Sequence, residues 1–275
     1  VVVITTKKGS GQGQVNLNLS TGFSSLPNQL PVFDADTFRS QVKAVGGTLV
    51  DLKGNTNWQD ELTQVGVAKN ANLSLSGAAN EKFSYFASLG YQDQDGILRN
   101  SNLKRYSGKL NINQKAWNGK LNVDYNLTAS RFENLRPAIT SVISDMITLN
   151  PTIPAYTDGV PTQLPTNALN PLQRNELYSD MAVNNRILAS ISPSLELAKG
   201  LVYKLNVGVD YSTTTREVQY KPFPSVVNEG NISNGALDVS LEPNTNQLIE
   251  NTLSYNWTKS NHNLTFLAGH SYQEL

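Results

Sequence analysis

Phe83-Ser84-Tyr85-Phe86-Ala87-Ser88-Leu89-Gly90-Tyr91 sets an apolar side chain at every second position, from Phe83 to Tyr91. A period of two is a strand with one apolar and one wet face. The same alternation runs through Val15-Leu17-Leu19-Thr21-Phe23, Leu121-Val123-Tyr125-Leu127-Ala129, Tyr203-Leu205-Val207-Val209-Tyr211 and Leu264-Phe266-Ala268-His270-Tyr272. Asn, Ser, Lys, Thr and Asp fill the places between. Nine such stretches follow one another. An antiparallel β-barrel with lipid outside and water inside needs that many, and few other architectures do.

The expected barrel strands are Val15–Phe23, Ala71–Gly77, Lys82–Tyr91, Leu103–Asn113, Lys120–Arg131, Val183–Leu197, Leu201–Ser212, Leu248–Thr258 and Leu264–Tyr272, preceded by Val1–Thr6. Four connections are tight and rich in Asn, Gly or Lys, as hairpin turns require: 78–81, 114–119, 198–200 and 259–263. The other four, 24–70, 92–102, 132–182 and 213–247, are read as long loops. Short and long alternate without exception, so a meander carries all its turns at one end and all its loops at the other.

Two loops contain helical patterns. Asp34 caps one with Phe38, Val42 and Val45 on a face, stopped at Gly46-Gly47. Pro137 opens another with Ile139, Val142, Ile143, Met146 and Ile147 at helical spacing, stopped at Asn150-Pro151. Both apolar faces are expected to be buried. The stretch from Pro151 to Pro171 reads as irregular.

The chain of 275 residues is 39% hydrophobic and balances 22 basic against 22 acidic residues. A neutral chain without a basic block gives no footprint for nucleic acid. It contains no Cys, which excludes disulfides, thiolate metal sites and Cys nucleophiles. No stretch reaches the ~20 apolar residues of a transmembrane helix, but a spanning strand needs only ~9–11, half of them polar. Val1-Val2-Val3-Ile4 opens inside a strand without an initiator Met, and the end stops on a strand pattern, so the chain reads as an internal fragment.

A soluble, secreted β-sandwich that binds carbohydrate or another ligand is the alternative. Loop sorting, strands of twelve to fifteen residues against ~5–6 in ordinary sheets, and aromatics near strand ends favour the barrel. Nine strands cannot close a standard bacterial barrel, which has an even number. They suit a part of a larger one, such as the 22-stranded barrels with a plugged lumen.

Val1-Val2-Val3-Ile4-Thr5-Thr6-Lys7-Lys8-Gly9 resembles the end of the plug domain in the SusC/RagA family of TonB-dependent outer-membrane transporters. Thr56-Asn57-Trp58-Gln59-Asp60-Glu61, Asn72 to Gly77, Tyr85 to Ile97, Lys104-Arg105-Tyr106-Ser107, Pro154 to Gly159 and Asn170-Pro171-Leu172 follow in the family's order. The resemblance implies a plug end at 1–9, a linker at 10–14 and the first part of the barrel at 15–275. It implies active import of a large nutrient, glycan or oligopeptide, across the outer membrane. A SusD-like surface lipoprotein would cap the mouth, and TonB would act through a segment outside this chain. A passive porin-like barrel is a further alternative, against which Val1–Gly9 argues.

Candidate chemistry is sparse. Lys8-Gly9-Ser10-Gly11-Gln12-Gly13 is glycine-rich but leads into a strand, whereas a phosphate loop leads into a helix. Asp93-Gln94-Asp95-Gly96 fails the EF-hand pattern, because Tyr91 and Asn102 stand where Asp and Glu belong. A looser cation site and a solvated turn both remain open there. His262 and His270 have no spaced partners. No enzyme and no cofactor are expected. In the long loops Trp58, Tyr156, Tyr178, Tyr220 and Phe223 are candidates to stack on cargo, beside Arg136, Arg174 and Arg216, and Asp93 and Asp95 are further candidates to contact cargo or a partner. Packing of loops on each other or on a partner is the alternative for each aromatic.

Overall fold

The structure is a computed structural model, and it describes residues 9, 11–165, 169–223 and 234–274. Nine strands form one antiparallel sheet in which every strand lies beside its predecessor in the chain. They are β1 (Gln14–Ser24), β2 (Gly66–Asn80), β3 (Phe83–Asp95), β4 (Asn102–Ala116), β5 (Leu121–Arg136), β8 (Tyr178–Ala198), β9 (Leu201–Tyr220), β10 (Ala236–Lys259) and β11 (His262–Glu274). A two-stranded ladder, β6 (Tyr156–Thr157) with β7 (Val160–Pro161), sits apart. A β-sandwich would divide the strands between two sheets, so one continuous meander removes that alternative. The expected strand at Val1–Thr6 lies outside the described residues.

Register keeps the two faces separate across the whole sheet. Leu17, Leu73, Leu89, Gly108, Ala129, Ile187 and Tyr211 stand opposite one another in turn, and so do Leu75, Ala87, Leu110, Leu127, Ala189 and Val209. The alternate positions make the other face: Asn16, Ser74, Ser88, Lys109 and Thr128 form one such row. The apolar face is bare, with Val15 69%, Leu89 66% and Phe266 59% exposed. Water cannot cover such a surface without cost, which suits the outer face of a barrel wall.

The apolar band is slanted. On β3 it runs from Phe83 to Tyr91, on β5 from Leu121 to Ala129, and on β11 from Leu264 to Tyr272. Tyr91 is opposite Tyr106, which is opposite Arg131, so the β5 band ends one row below that of β3. Tyr272 is opposite Ile249, then Val207, Ile191 and Tyr125, two rows lower again. A band that steps along tilted strands is what closing a barrel demands.

All tight turns fall at one end. Trp117, Asn118 and Gly119 take left-handed φ of 50°, 55° and 88°, and Gly200 takes 79°, as Asn- and Gly-containing hairpins allow. The chain before β1 approaches that same end: Ala78 N donates to Gly11 O at 2.9 Å, and a Cβ on Gly9 would lie 2.0 Å from Tyr85 O. Only glycine fits there.

The opposite end departs from expectation in its bounds. The connections shrink to 25–65, 96–101, 137–177 and 221–235, because the ladders run on past the apolar band. β10 has 24 residues and β8 21, far beyond the ~9–11 that cross a bilayer. Alternation marks only the part of a strand with one wet face. Where both faces are wet, backbone hydrogen bonds continue without leaving that signal.

Expected helices form as α1 (Ala35–Ala44) and α3 (Ile139–Thr148), with Asp34 capping α1 through Thr37 N at 2.8 Å. Burial of their apolar faces is only partial. Val45 at the end of α1 is 80% exposed. On α3, Val142 and Met146 are buried, while Ile139, Ile143 and Ile147 stay nearly half exposed. Two short helices were not expected, α2 (Trp58–Leu62) and α4 (Pro171–Leu177), capped by the Asn57 and Asn170 side chains. The rest of the segment from Pro151 onward has little regular structure beyond the Asp158-Gly159 turn of the small ladder, at φ 52° and 80°.

A lipid-facing band of this kind rejects an arginine at its middle by about 2–4 kcal/mol. Leu127→Arg is therefore expected to weaken the full-length barrel in lipid vesicles by that order, read by urea unfolding. Asn126→Arg, one position along on the polar face, should cost clearly less; equal losses would remove the face assignment.

Candidate functional site

At the long-loop end three loops fold into one cap. Trp58, Leu62, Val142, Met146, Ile153, Ala155, Leu164 and Leu172 form its buried core, with Leu98 packed against it. The backbone is tied from loop to loop: Trp58 Nε1 donates to Asn150 O at 3.2 Å, Gly54 N to Thr152 O at 2.8 Å, and Arg99 N to Leu62 O at 3.1 Å. Buried Gln59 grips the Leu30 backbone twice, accepting from its N at 2.8 Å and donating to its O at 2.9 Å. Arg39 donates to both Asp51 oxygens, at 3.0 and 3.1 Å, and to Gly54 O at 2.8 Å. Those bonds hold the Asp51 carboxyl well below the usual carboxylate range. A groove of about 540 Å³ opens beside the core between Leu30, Phe33, Phe38, Trp58, Met146 and Leu149.

Below the cap, on the polar face, several candidates converge. Arg136 at the end of β5 donates to Asp180 Oδ1 at 2.9 Å, and Arg216 on β9 donates to Oδ1 and Oδ2, each at 2.9 Å. The Asp180 side chain is only 5% exposed, while the two arginines keep 34% and 47%. Tyr178 and Tyr220 stand opposite each other one row further out, with ring centroids 4.9 Å apart. Tyr220 and Phe223 also pack on buried Leu169. Burial, and next the Asp180 charge, push the Tyr178 hydroxyl up. The hydrogen bonds from Arg216, and then from Arg136, outweigh burial and hold Asp180 below its ordinary value. Exposed Asp238 lies one strand on, near Arg216. The cluster offers guanidinium donors, carboxylate acceptors and two aromatic faces, which is a surface for a polar oligomer.

The remaining candidates lie elsewhere. Trp58 is 3% exposed, so its ring has no free face for cargo and serves the cap. Tyr156 is 46% exposed on the small ladder. Arg174 in α4 lies 3.9 Å from Asp145. Asp93 and Asp95 both accept from Asn102 Nδ2 at 2.9 Å, on the outer side of the sheet rather than the lumen side. Among the described residues no group of three His, Asp or Glu is placed to hold a metal. Asp180 and Gln59 escaped the sequence reading. Asp180-Ala182-Asn184-Arg186 continues the polar phase of β8, and extending that phase would have found the first. Nothing local marks Gln59, whose role comes from Leu30.

No family model matches the chain. The TonB-dependent receptor P3 of Formosa agariphila is 29% identical over 290 residues, covering 100% of this chain and 28% of that protein. The TonB-dependent receptor SusC of Bacteroides thetaiotaomicron is 25% identical over 254 residues, 81% of this chain and 25% of SusC. The chain thus spans about a quarter of these relatives' length. Among solved structures, that of the RagAB peptide transporter superposes with a TM-score of 0.82 at 23% identity, over 98% of this chain and 35% of that one.

Two outcomes test the site. A depressed folded pKa means that Asp180 stabilises the mouth above the ordinary carboxylate pKa of ~3.9 and loses that contribution as pH falls through the folded value. Asp180→Asn should therefore cost roughly 1–2 kcal/mol at neutral pH, below a fully buried pair because both guanidiniums stay partly solvated. In melts of the full-length protein, the gap from wild type should narrow as pH falls below the ordinary carboxylate range. Trp58→Ala, which leaves a large void, should make loops 25–65 and 137–177 sensitive to protease while the barrel stays resistant. In sequence the chain is thus similar to about a quarter of TonB-dependent receptors that include SusC, and in fold to a barrel segment of the RagAB transporter.

Proposed function

We propose that this chain forms wall and mouth of an outer-membrane transporter that imports a large nutrient, glycan or oligopeptide, under TonB control. The observation that carries the reading is the division of one sheet into a bare apolar face and a hydrogen-bonded polar face, with turns at one end and a folded cap at the other. On the polar face, Asn113 donates to Asn122 and Asp124, Ser192 to Asn206, and Asn206 to Glu250, a surface suited to a wet lumen. Residues 1–9 then end the plug and 10–14 link it to β1 at the turn end. TonB acts on a plug segment outside this chain. Cargo meets the cap and the Arg136–Asp180–Arg216 cluster first. No covalent chemistry is assigned to the chain.

A SusD-like surface lipoprotein is the proposed partner at the mouth. Ile139, Ile143 and Ile147 lie along one side of α3, and with Leu30, Val32 and Phe33 they leave the cap with exposed apolar surface. Surface of that kind on a folded cap marks a protein contact. SusC is among the similar receptors and RagAB is a peptide transporter, which supports import without choosing the cargo.

Detergent extraction of the full-length parent from outer membranes, followed by native mass spectrometry, tests this directly. A stoichiometric lipoprotein with a bound oligomer is expected, and Ile143→Glu should lower lipoprotein retention at least tenfold. Recovery of the parent only in the soluble fraction would sink the reading.

A further inference from the structure

Beyond import, and resting on the membrane placement just proposed, we infer that the outer face of β2, β4 and β5 holds a binding site for a phosphate-bearing lipid headgroup of the outer leaflet. The site is set by register. Lys69 stands opposite Asp93, Asp93 opposite Lys104, and Lys104 opposite Glu133. Arg131 belongs to the row below, opposite Tyr106 and beyond it Tyr91. All share the side of the sheet that carries Leu89, Leu110 and Leu127, immediately past the end of the apolar band toward the long loops. Three cations therefore meet the lipid boundary on the face that looks away from the lumen, where neither cargo nor a plug can reach them.

Their surroundings suit a headgroup. The Tyr91 and Tyr106 rings lie 5.3 Å apart at the top of the band, where amphipathic rings settle among headgroups. The two acids are held by neighbours: Asp93 accepts from Asn102 at 2.9 Å and from the Tyr91 hydroxyl at 3.2 Å, and Glu133 accepts from Arg131 Nε at 2.7 Å. Asp95, one row further out, shares the Asn102 amide with Asp93, so three cations face three acids on this side and recognition rests on where the cations stand rather than on net charge. Lys69 is exposed and Arg131 keeps 49% of its side chain open. At the same boundary β8, β9, β10 and β11 carry Asn185, Thr213, Gln247 and Glu274, none of them a cation. These cations are thus confined to one sector of the wall. Lysines and arginines just outside a bilayer attract anionic headgroups, and a phosphate can accept from several of them at once. The acids between them favour a headgroup that also carries hydroxyl donors, which a phosphorylated glycolipid does.

The test uses the full-length protein with its lipoprotein partner in neutral detergent, titrated with monophosphorylated lipid A and with the dephosphorylated form, and read by native mass spectrometry. Binding at least tenfold tighter for the phosphorylated form is expected, and the preference should vanish in the double variant Lys69→Gln, Lys104→Gln. Arg131→Gln, which also frees Glu133, should weaken it as well. Lipoprotein retention and cargo capture should not change in either variant, which shows that the fold survives. Equal binding of the two lipids overturns the inference, as does a preference that persists in the double variant. Competition by millimolar inorganic phosphate would overturn the lipid assignment in favour of a free-anion site. Each of these leaves import standing; a parent that never enters the membrane removes both.

Discussion

One-residue precision in strand register is the constraint on which everything else rests. Side chains alternate with a period of two, so a slip of one position at any of the eight pairings would carry every later apolar residue to the lumen side. The sheet avoids this with short, conformationally demanding turns. Trp117-Asn118-Gly119 and Lys199-Gly200 leave β4–β5 and β8–β9 no slack at the turn end. The long connections could not do the same, and they do not need to. Three of the four follow a strand already joined to its neighbour by a tight hairpin; 25–65, which follows β1, is the exception.

With the faces fixed, the two ends take on different physics. At the turn end the backbone itself is the structure. At the loop end a small core of about ten side chains does the work, drawn from segments up to a hundred residues apart: Asn150 reaches Val50, and Thr56 reaches Ile153. The cluster on Asp180 joins the two regimes. It binds the last residue of β5 to β9 through a carboxylate on β8, just where the 137–177 loop departs and returns. Loop anchoring and wall geometry meet in one buried charge.

Much of this was legible in the sequence, and the illegible parts share a cause. The nine strands, the turn positions, α1 and α3 all follow from local periodicity and capping, which neighbours in the chain determine. The end of β9 was misjudged because it continues from Thr213 to Tyr220 through mostly polar residues that leave little alternation, whereas the start of β10 does alternate at Leu237, Val239 and Leu241 and was hidden only by being read as loop. Trp58 drew notice as an exposed-loop aromatic, yet its environment depends on Asn150 and Met146, far off in the chain. Arg136, Arg216, Tyr178 and Tyr220 were singled out by residue type; the Asp180 that organises the arginines was hidden inside an expected loop. Asp93 and Asp95 were read as loop groups facing cargo, and one extra turn of alternation on β3 puts them on the outside instead.

The unequal strand lengths have a mechanical consequence. β8, β9 and β10, of 21, 20 and 24 residues, rise well above the apolar band as a continuous hydrogen-bonded sheet, while β1 and β3 stop at 11 and 13 and hand over to packed loops. The rim is thus built of two materials. A ladder yields only by breaking many backbone bonds together, whereas a cap held by a small side-chain core can shift or open at a lower free energy. Compliance at the mouth is therefore one-sided: motion belongs to the sector over β1 to β5, and the opposite sector serves as the fixed jaw against which it moves.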